Sequence, residues 1–430
     1  MSYYNITEVE SALIALSTSY PSLTSLITLP HATHEGRISH AIRIGSGKVD
    51  LQDAVLFIGG MHAREWGSCE ICINFASDLL EAYTAGTGLA FGGKSFTDKQ
   101  IKAIVERLQI IVFPLVNPDG RHYSQTVEAL WRKNRKPVGS GCVGVDLNRN
   151  FDFLWDFPKF FAPSSYVSCS TDPCSSLYHG SSAFSEAETQ NVRWLFDAYN
   201  KIPWFVDIHS YGELILFNWG DDQNQSSDPK MNFRNNSYNS LRGVDNDSVY
   251  KEYIPAEDHD LVSKLSLRVH AAIEAVRGKK YTALQSFDLY PTAGTSDDYA
   301  YGRHFVDPSK NKIRSFTIEW GTDFQPPWVE MEKIILDITA GLMEFCVAAT
   351  PDLAIKKFWL GALAWAWLII IGGLMLIPPG PVCLVCGPNI AKLFGSISIL
   401  IGIGALVFNP AKQVSHDSTA AHLTQPTSRR

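Results

Sequence analysis

The stretch Gly59 to Ser68, GGMHAREWGS, follows the apolar run AVLFI and carries His62 and Glu65 with two residues between them. A third side chain of the same kind, His209, ends a second apolar run in WFVDIHSYGE. Imidazole nitrogens and carboxylate oxygens are the usual ligands of catalytic zinc, which takes three protein ligands and leaves one position open. In α/β proteins, ligands gather outside the C-terminal ends of strands, where both motifs fall. Alone, H-x-x-E also fits a solvated loop after a buried strand, so the pair needs His209 to make a metal site. His122, His179, His270 and His304 are weaker candidates, and His270 lies in a helical pattern where a packed or exposed imidazole is ordinary.

Both kinds of element must position these side chains. Strand-like runs cover 42–44, 54–58, 109–116, 204–208, 214–217 and 313–318, and helical patterns cover 69–83, 185–199, 258–276 and 328–345. Their alternation predicts a single α/β domain over residues 1–350, with no internal repeat and no low-complexity linker. Near the start, Thr7 ahead of Glu8, Val9, Ala12, Leu13 and Leu16 predicts a capped amphipathic helix rather than a signal peptide. Residues 221–258, rich in Asn, Asp and Ser, read as a long surface excursion.

Composition narrows the function class. With 45% hydrophobic and 12% aromatic residues in 430, the chain can bury a sizeable core. A formal net charge of −7 and the lack of a basic stripe give no reason to expect a nucleic-acid partner. Residues 358–377 contain no charge and are long enough to cross a bilayer, and 393–408 form a shorter second apolar run. The expectation is a hydrophobic helical hairpin within 351–412 that anchors the chain to a membrane, followed by a polar, disordered tail at 413–430. Lys356 and Lys357 before the hairpin, with Lys412, Arg429 and Arg430 after it, favour a cytoplasmic position for both outer ends. Cys383 and Cys386 between the runs read as part of a small apolar turn, and Cys69 and Cys72 as buried free thiols.

The segments HAREW, NPDG, LWRKNR, GVDLNRNFD, PCSSLYHG, DIHSYGE, SDDYAYG and SFTIEW occur in that order. In them the chain resembles the zinc metallocarboxypeptidases of the carboxypeptidase A and B family, from about residue 5 to residue 350. The resemblance implies one carboxypeptidase-like domain with a mixed, mostly eight-stranded sheet flanked by helices. It implies a single zinc ion held by His62, Glu65 and His209, with Asp146 orienting the first histidine. It makes Glu319 the general base and acid and Arg132 the stabiliser of the oxyanion. Asn148, Arg149 and Tyr290 match the groups that bind a free terminal carboxylate, and Arg64 and Tyr211 match further substrate contacts.

Asp297 falls at the base of the side-chain pocket, where an acid resembles the B type and its preference for C-terminal Lys or Arg. Cys142 and Cys174 match a disulfide, which implies an oxidising, extracytoplasmic setting, opposite to the side that the charge flanks and the missing signal peptide favour. Cys169 lies close enough in sequence to compete for a partner. With the first expected ligand at His62, a blocking pro-domain is not expected within this sequence, so the expectation is a form made active or a longer precursor. The function implied is hydrolysis of the C-terminal peptide bond of peptides or proteins. A zinc amidase or cell-wall peptide hydrolase, and an inactive membrane-tethered binding module, are the other classes to weigh.

Overall fold

Eight runs rich in β-branched and aromatic residues pair into one mixed sheet. They are β1 (Thr24–Thr28), β2 (His40–Ile44), β3 (Ala54–Gly59), β4 (Gln109–Phe113), β5 (Trp204–His209), β6 (Leu214–Phe217), β7 (Thr282–Gln285) and β8 (Arg314–Glu319). Their order across the sheet is β1-β2-β4-β3-β5-β8-β6-β7. The centre, from β4 through β3 and β5 to β8, is parallel. Antiparallel pairs flank it, β2 on β4 and β6 on β8. The structure is a computed structural model that describes residues 2–47, 52–139 and 141–350.

A parallel centre must be covered on both faces, and the alternation of side chains along β3 shows how. Val55 and Phe57 enter one core together with α2 (Gly67–Ala85), α6 (Ala256–Arg277) and α8 (Trp328–Ala349), joined by α1 (Ile6–Ser19) and α3 (Asp98–Arg107). Leu56 and Ile58 enter the other with α5 (Ala187–Ala198) and α7 (Ser296–Val306). The remaining main helix, α4 (Pro118–Thr126), follows β4 and begins with Asn117 as its cap. Among the described residues no helix is long and apolar enough to cross a membrane. The expected spans at 358–377 and 393–408, and the polar tail, lie outside the described residues.

Several boundaries differ from those the sequence predicts, each for a local reason. The helical cap is Asn5, not Thr7: its side chain accepts from Glu8 N at 3.1 Å while Glu8 Oε2 accepts from Asn5 N at 2.7 Å. The strand expected to reach Val116 stops at Phe113, before Pro114, which has no N–H for the ladder. Strands β1 and β7 go unpredicted because they are the two edges, half exposed and without clean alternation. Residues 221–258 are not a plain surface excursion: Asp221, Asp222, Arg242, Tyr250, Glu252 and Ile254 are all buried.

The start of α1 is also tied to the body of the protein. Tyr4 N donates to Glu70 Oε1 at 2.6 Å, and buried Arg121 donates to Tyr4 O at 2.6 Å. Because the Asn5 box caps only the first turn, Asn5→Ala is expected to cost about 1 kcal/mol and lower Tm by about 2 °C. Calorimetry checks the shift, and the circular dichroism of the folded protein at room temperature should be unchanged.

Candidate metal centre and active site

Three neighbouring parallel strands end at one level. Gly59 of β3 lies opposite Ile208 of β5, and His209 of β5 lies opposite Glu319 of β8. Past β3 the chain turns at Gly60 with φ +65°, where an added Cβ would sit 2.9 Å from Leu115 and 3.2 Å from Pro114 O, so the tight turn needs glycine. Two residues on is His62. Buried Asn117, in the loop after β4, donates to Met61 O at 3.1 Å and to Lys133 O at 3.2 Å, stapling the His62 loop to the Arg132 segment. Ala63 N donates to Arg132 O at 3.0 Å and completes the link.

The three candidate ligands are fully buried and converge, with ligand atoms all within 4.8 Å of one another. Glu65 Oε1 lies 2.8 Å from His62 Nδ1 and Oε2 lies 2.9 Å from His209 Nδ1. The two Nδ1 atoms are 3.0 Å apart. Each outer nitrogen meets its own carboxylate: His62 Nε2 is 3.1 Å from Asp146 Oδ1, and His209 Nε2 is 3.0 Å from Asp207 Oδ2. Such partners fix the proton on Nε2 and turn the Nδ1 lone pairs inward. Burial pushes the Glu65 and Asp146 carboxyls up, but the imidazoles facing Glu65, and Arg132 with His62 facing Asp146, outweigh it and hold both well below the usual range.

The charge balance points to a dication. Three buried carboxylates, Glu65, Asp146 and Asp207, surround the imidazole pair with the half-buried Glu319 beside them, and one guanidinium, Arg132, reaches Glu65 and Asp146. With neutral imidazoles a large negative excess is left in low dielectric, where uncompensated charge is costly. A divalent cation held by His62, Glu65 and His209 would offset most of it, and two histidines with one carboxylate suit zinc.

Glu319 lies beside this centre with Oε2 buried and without a hydrogen-bond partner. Burial and then the charge of Glu65 push its carboxyl up to about 8, against the opposing pull of His209 and Arg132. Asp146 Oδ2 grips Arg132 through Nε at 3.0 Å and Nη2 at 2.9 Å, which leaves Nη1, 3.9 Å from Glu65 Oε1, toward the centre. Arg64 lies over Phe324 at 4.1 Å, and Tyr211 meets the same ring edge-on at 4.8 Å.

Of the remaining sequence-predicted residues, Asn148 and Arg149 lie in the 147–149 turn, Asp297 at the start of α7 and Tyr290 in the loop before it. Asn148 Oδ1 accepts from Ser296 N at 2.8 Å, and its amide lies 3.4 Å from His209 Nε2. Arg149 donates to the carbonyls of Ser168 and Asn148. Gly294, at φ +67°, passes so close that a Cβ would lie 2.3 Å from Arg149 O. Tyr290 and Tyr211 are exposed at 40% and 50%, unlike the buried ligands. Cys142 and Cys174 form the expected disulfide, while Cys169, Cys69 and Cys72 are free. His122, His179, His270 and His304 stand apart; His179 stacks on Trp155 and His270 faces the Tyr281 carbonyl.

Three contributors escape the sequence reading: Asp207, Asn117 and Phe324. Asp207 was open to detection, because two residues before His209 on one strand it must share a face with it. Asp207→Asn is therefore expected to weaken zinc binding by about 10- to 100-fold, as loss of such partners does. Competition with a chromogenic chelator checks this, and an unchanged affinity would refute the positioning of His209 by Asp207.

The sequence profile of the zinc carboxypeptidase family matches residues 9–339. The chain is 30% identical over 306 residues to carboxypeptidase B of Astacus astacus, spanning 70% of this chain and 82% of that one. It is 28% identical over 306 residues to zinc carboxypeptidase A 1 of Anopheles gambiae, spanning 71% and 58%. Among solved structures, bovine thrombin-activatable fibrinolysis inhibitor in complex with tick carboxypeptidase inhibitor shares the fold with a TM-score of 0.62 at 22% identity, over 81% of this chain and 98% of that one. The carboxypeptidase A from Helicoverpa armigera aligns with a TM-score of 0.61 at 22% identity, over 81% and 74%. With a family match over most of its length and a buried His-Glu-His centre at the strand ends, this chain belongs to the zinc carboxypeptidases and is a zinc metallocarboxypeptidase.

Proposed function

We propose that the protein releases single residues from peptide or protein C-termini and prefers Lys or Arg there. The observation that carries this preference is the state of Asp297. It is buried; Asp298 N donates to Oδ1 at 2.9 Å, and the hydroxyls of Thr317 and Ser286 lie 3.2 and 3.4 Å from Oδ2. Among the described residues no Lys, Arg or His lies within ion-pair distance of it. A buried carboxylate held only by neutral donors gains most from a cation, which a basic substrate side chain brings. The relatives do not decide the matter, because similar chains carry both A and B names.

The roles follow from position. Arg149, Asn148 and Tyr290 bind the free terminal carboxylate, which is why the enzyme acts from the end of a chain. Zinc in the centre supplies Lewis acidity, polarising the scissile carbonyl and making water a better nucleophile. Glu319, with its unpartnered oxygen, takes the proton from the attacking water and returns it to the departing amine. Arg132, anchored by Asp146, offers its free Nη1 to the oxygen on which charge develops. The uncharged runs 358–377 and 393–408 support attachment to a membrane, a reading that rests on sequence.

Peptides that differ only in a final Lys, Arg, Leu or Phe test the preference. Chelator-sensitive release should be fastest from Lys or Arg, with Asp297→Asn lowering kcat/KM for these at least about tenfold; faster release of Leu or Phe would overturn the role of Asp297. Glu319→Gln should abolish turnover while zinc content, measured by atomic emission, stays at one per chain. A base works only when ionised, so kcat/KM should rise with pH through the Glu319 pKa. A neighbouring dication favours the ionised form, so this limb is expected between the ordinary 4.5 and the value of about 8 that burial and the surrounding protein charges set without it. The limb should be absent from any residual activity of Glu319→Gln.

A further inference from the structure

A cavity of about 420 Å³ adjoins the metal centre and shares Arg64 and Arg132 with it. Asn148, Arg149, Tyr290 and Asp297 take no part in its lining. Those four groups are the ones read as holding the terminal residue, so the cavity is left for the peptide upstream of the scissile bond.

Its charge is one-sided. Arg64, Arg132, Lys133 and Arg135 line it, with Glu128 as the single carboxylate. Asp146 already neutralises Arg132 at 2.9 Å. Arg64, Lys133 and Arg135 have no ion-pair partner among the described residues. Lys133 is buried and its ammonium has a carbonyl, Pro173 O at 3.1 Å, in place of an anion. The Nε donors of Arg64 and Arg135 are buried without a hydrogen-bond partner.

These cations are also held in place. Arg135 lies over Tyr123 at 3.6 Å and over Trp131 at 4.6 Å, and Trp131 is itself fixed by a 2.7 Å bond from Nε1 to Lys133 O. Arg64 rests on Phe324. A stacked guanidinium loses little further freedom when it binds a carboxylate, and it can offer two parallel donors.

We propose that this cavity is a subsite for an acidic side chain, Glu or Asp, carried by the peptide just upstream of the bond that is cut. Arg135 and Arg64 clasp that carboxylate, and Lys133 adds positive potential behind them. The proposal rests on the reading of the centre as a carboxypeptidase site and is independent of which terminal residue is preferred.

The test uses zinc-loaded enzyme and peptides of one C-terminal residue, with Glu, Gln or Lys at the first, second or third position upstream of the scissile bond. At one of these positions Glu should exceed Gln in kcat/KM by about tenfold, the scale of one charge-assisted contact, with Lys lowest. The advantage should shrink in about 0.5 M salt, where exposed charges are screened. In Arg135→Gln the Glu-to-Gln ratio should fall toward one; because the ratio is taken within one variant, partial misfolding cancels. Equal rates for Glu and Gln at all three positions, or a preference for Lys, would overturn the proposal. Titration calorimetry of the same peptides into zinc-loaded Glu319→Gln reads the preference without turnover, so a failed catalytic reading is told apart from a failed subsite.

Discussion

Two imidazole nitrogens held 3.0 Å apart, both turned toward one buried carboxylate and backed by two more, form an arrangement that no set of protein groups completes. Neither Nδ1 can donate to the other while its proton is held on Nε2 by Asp146 or Asp207. The excess negative charge lies out of water, where it would force protonation or unfolding unless a cation joins it. Binding of zinc therefore stabilises the native centre as well as equipping it, and the geometry has to be set by the scaffold beforehand.

Three parallel strands ending in register supply that scaffold. A strand end is fixed by the ladder on both sides, so His209 and Glu319 are neighbours by hydrogen bonding and not by loop conformation. The less regular ligands need staples, and the buried amide of Asn117 serves the His62 loop and the Arg132 segment at once. Around the centre, Arg64 Nε, Asp207 Oδ1, Ser210 Oγ and Glu319 Oε2 are buried without hydrogen-bond partners. Of these, Glu319 Oε2 lies beside the three candidate ligands, where a group arriving with substrate or metal would meet it.

Much of this was legible in the sequence because the pattern is coarse and the chemistry is local. Apolar runs marked all four central strands, and the ligands sit at their ends or just past them, so reading the strand gave the ligand. The edges β1 and β7 were hidden because a half-exposed strand has no strong period. Asn117 was out of reach for a different reason: an Asn before Pro reads as a turn, and only the tertiary contact with Met61 and Lys133 shows that it is a clamp. The stretch 221–258 misled through composition, since its polar residues are buried against one another. Glu252 accepts from Phe233 N and Tyr250 OH, and Arg242 donates to the backbone carbonyls of Tyr238, Asn232 and Phe233.

That buried stretch bears on the proposed preference for a basic terminus. Asp297 and Asp298 are adjacent in sequence, both buried at the start of α7, and either could in principle face a basic side chain. Asp298 is already committed: it accepts from Asn218 Nδ2 at 2.9 Å and from Gly220 N at 3.1 and 3.2 Å. Burial, followed by the charges of Asp297 and Asp221, raises its carboxyl well above the usual range, so it tends to hold a proton and brace the 218–222 segment. Asp297 has only a backbone amide and hydroxyls as donors, and hydroxyls can turn away as a stronger donor enters. One aspartate is thus spent on holding the wall and the other keeps only exchangeable donors, so the proposed preference for a basic terminus rests on Asp297 alone.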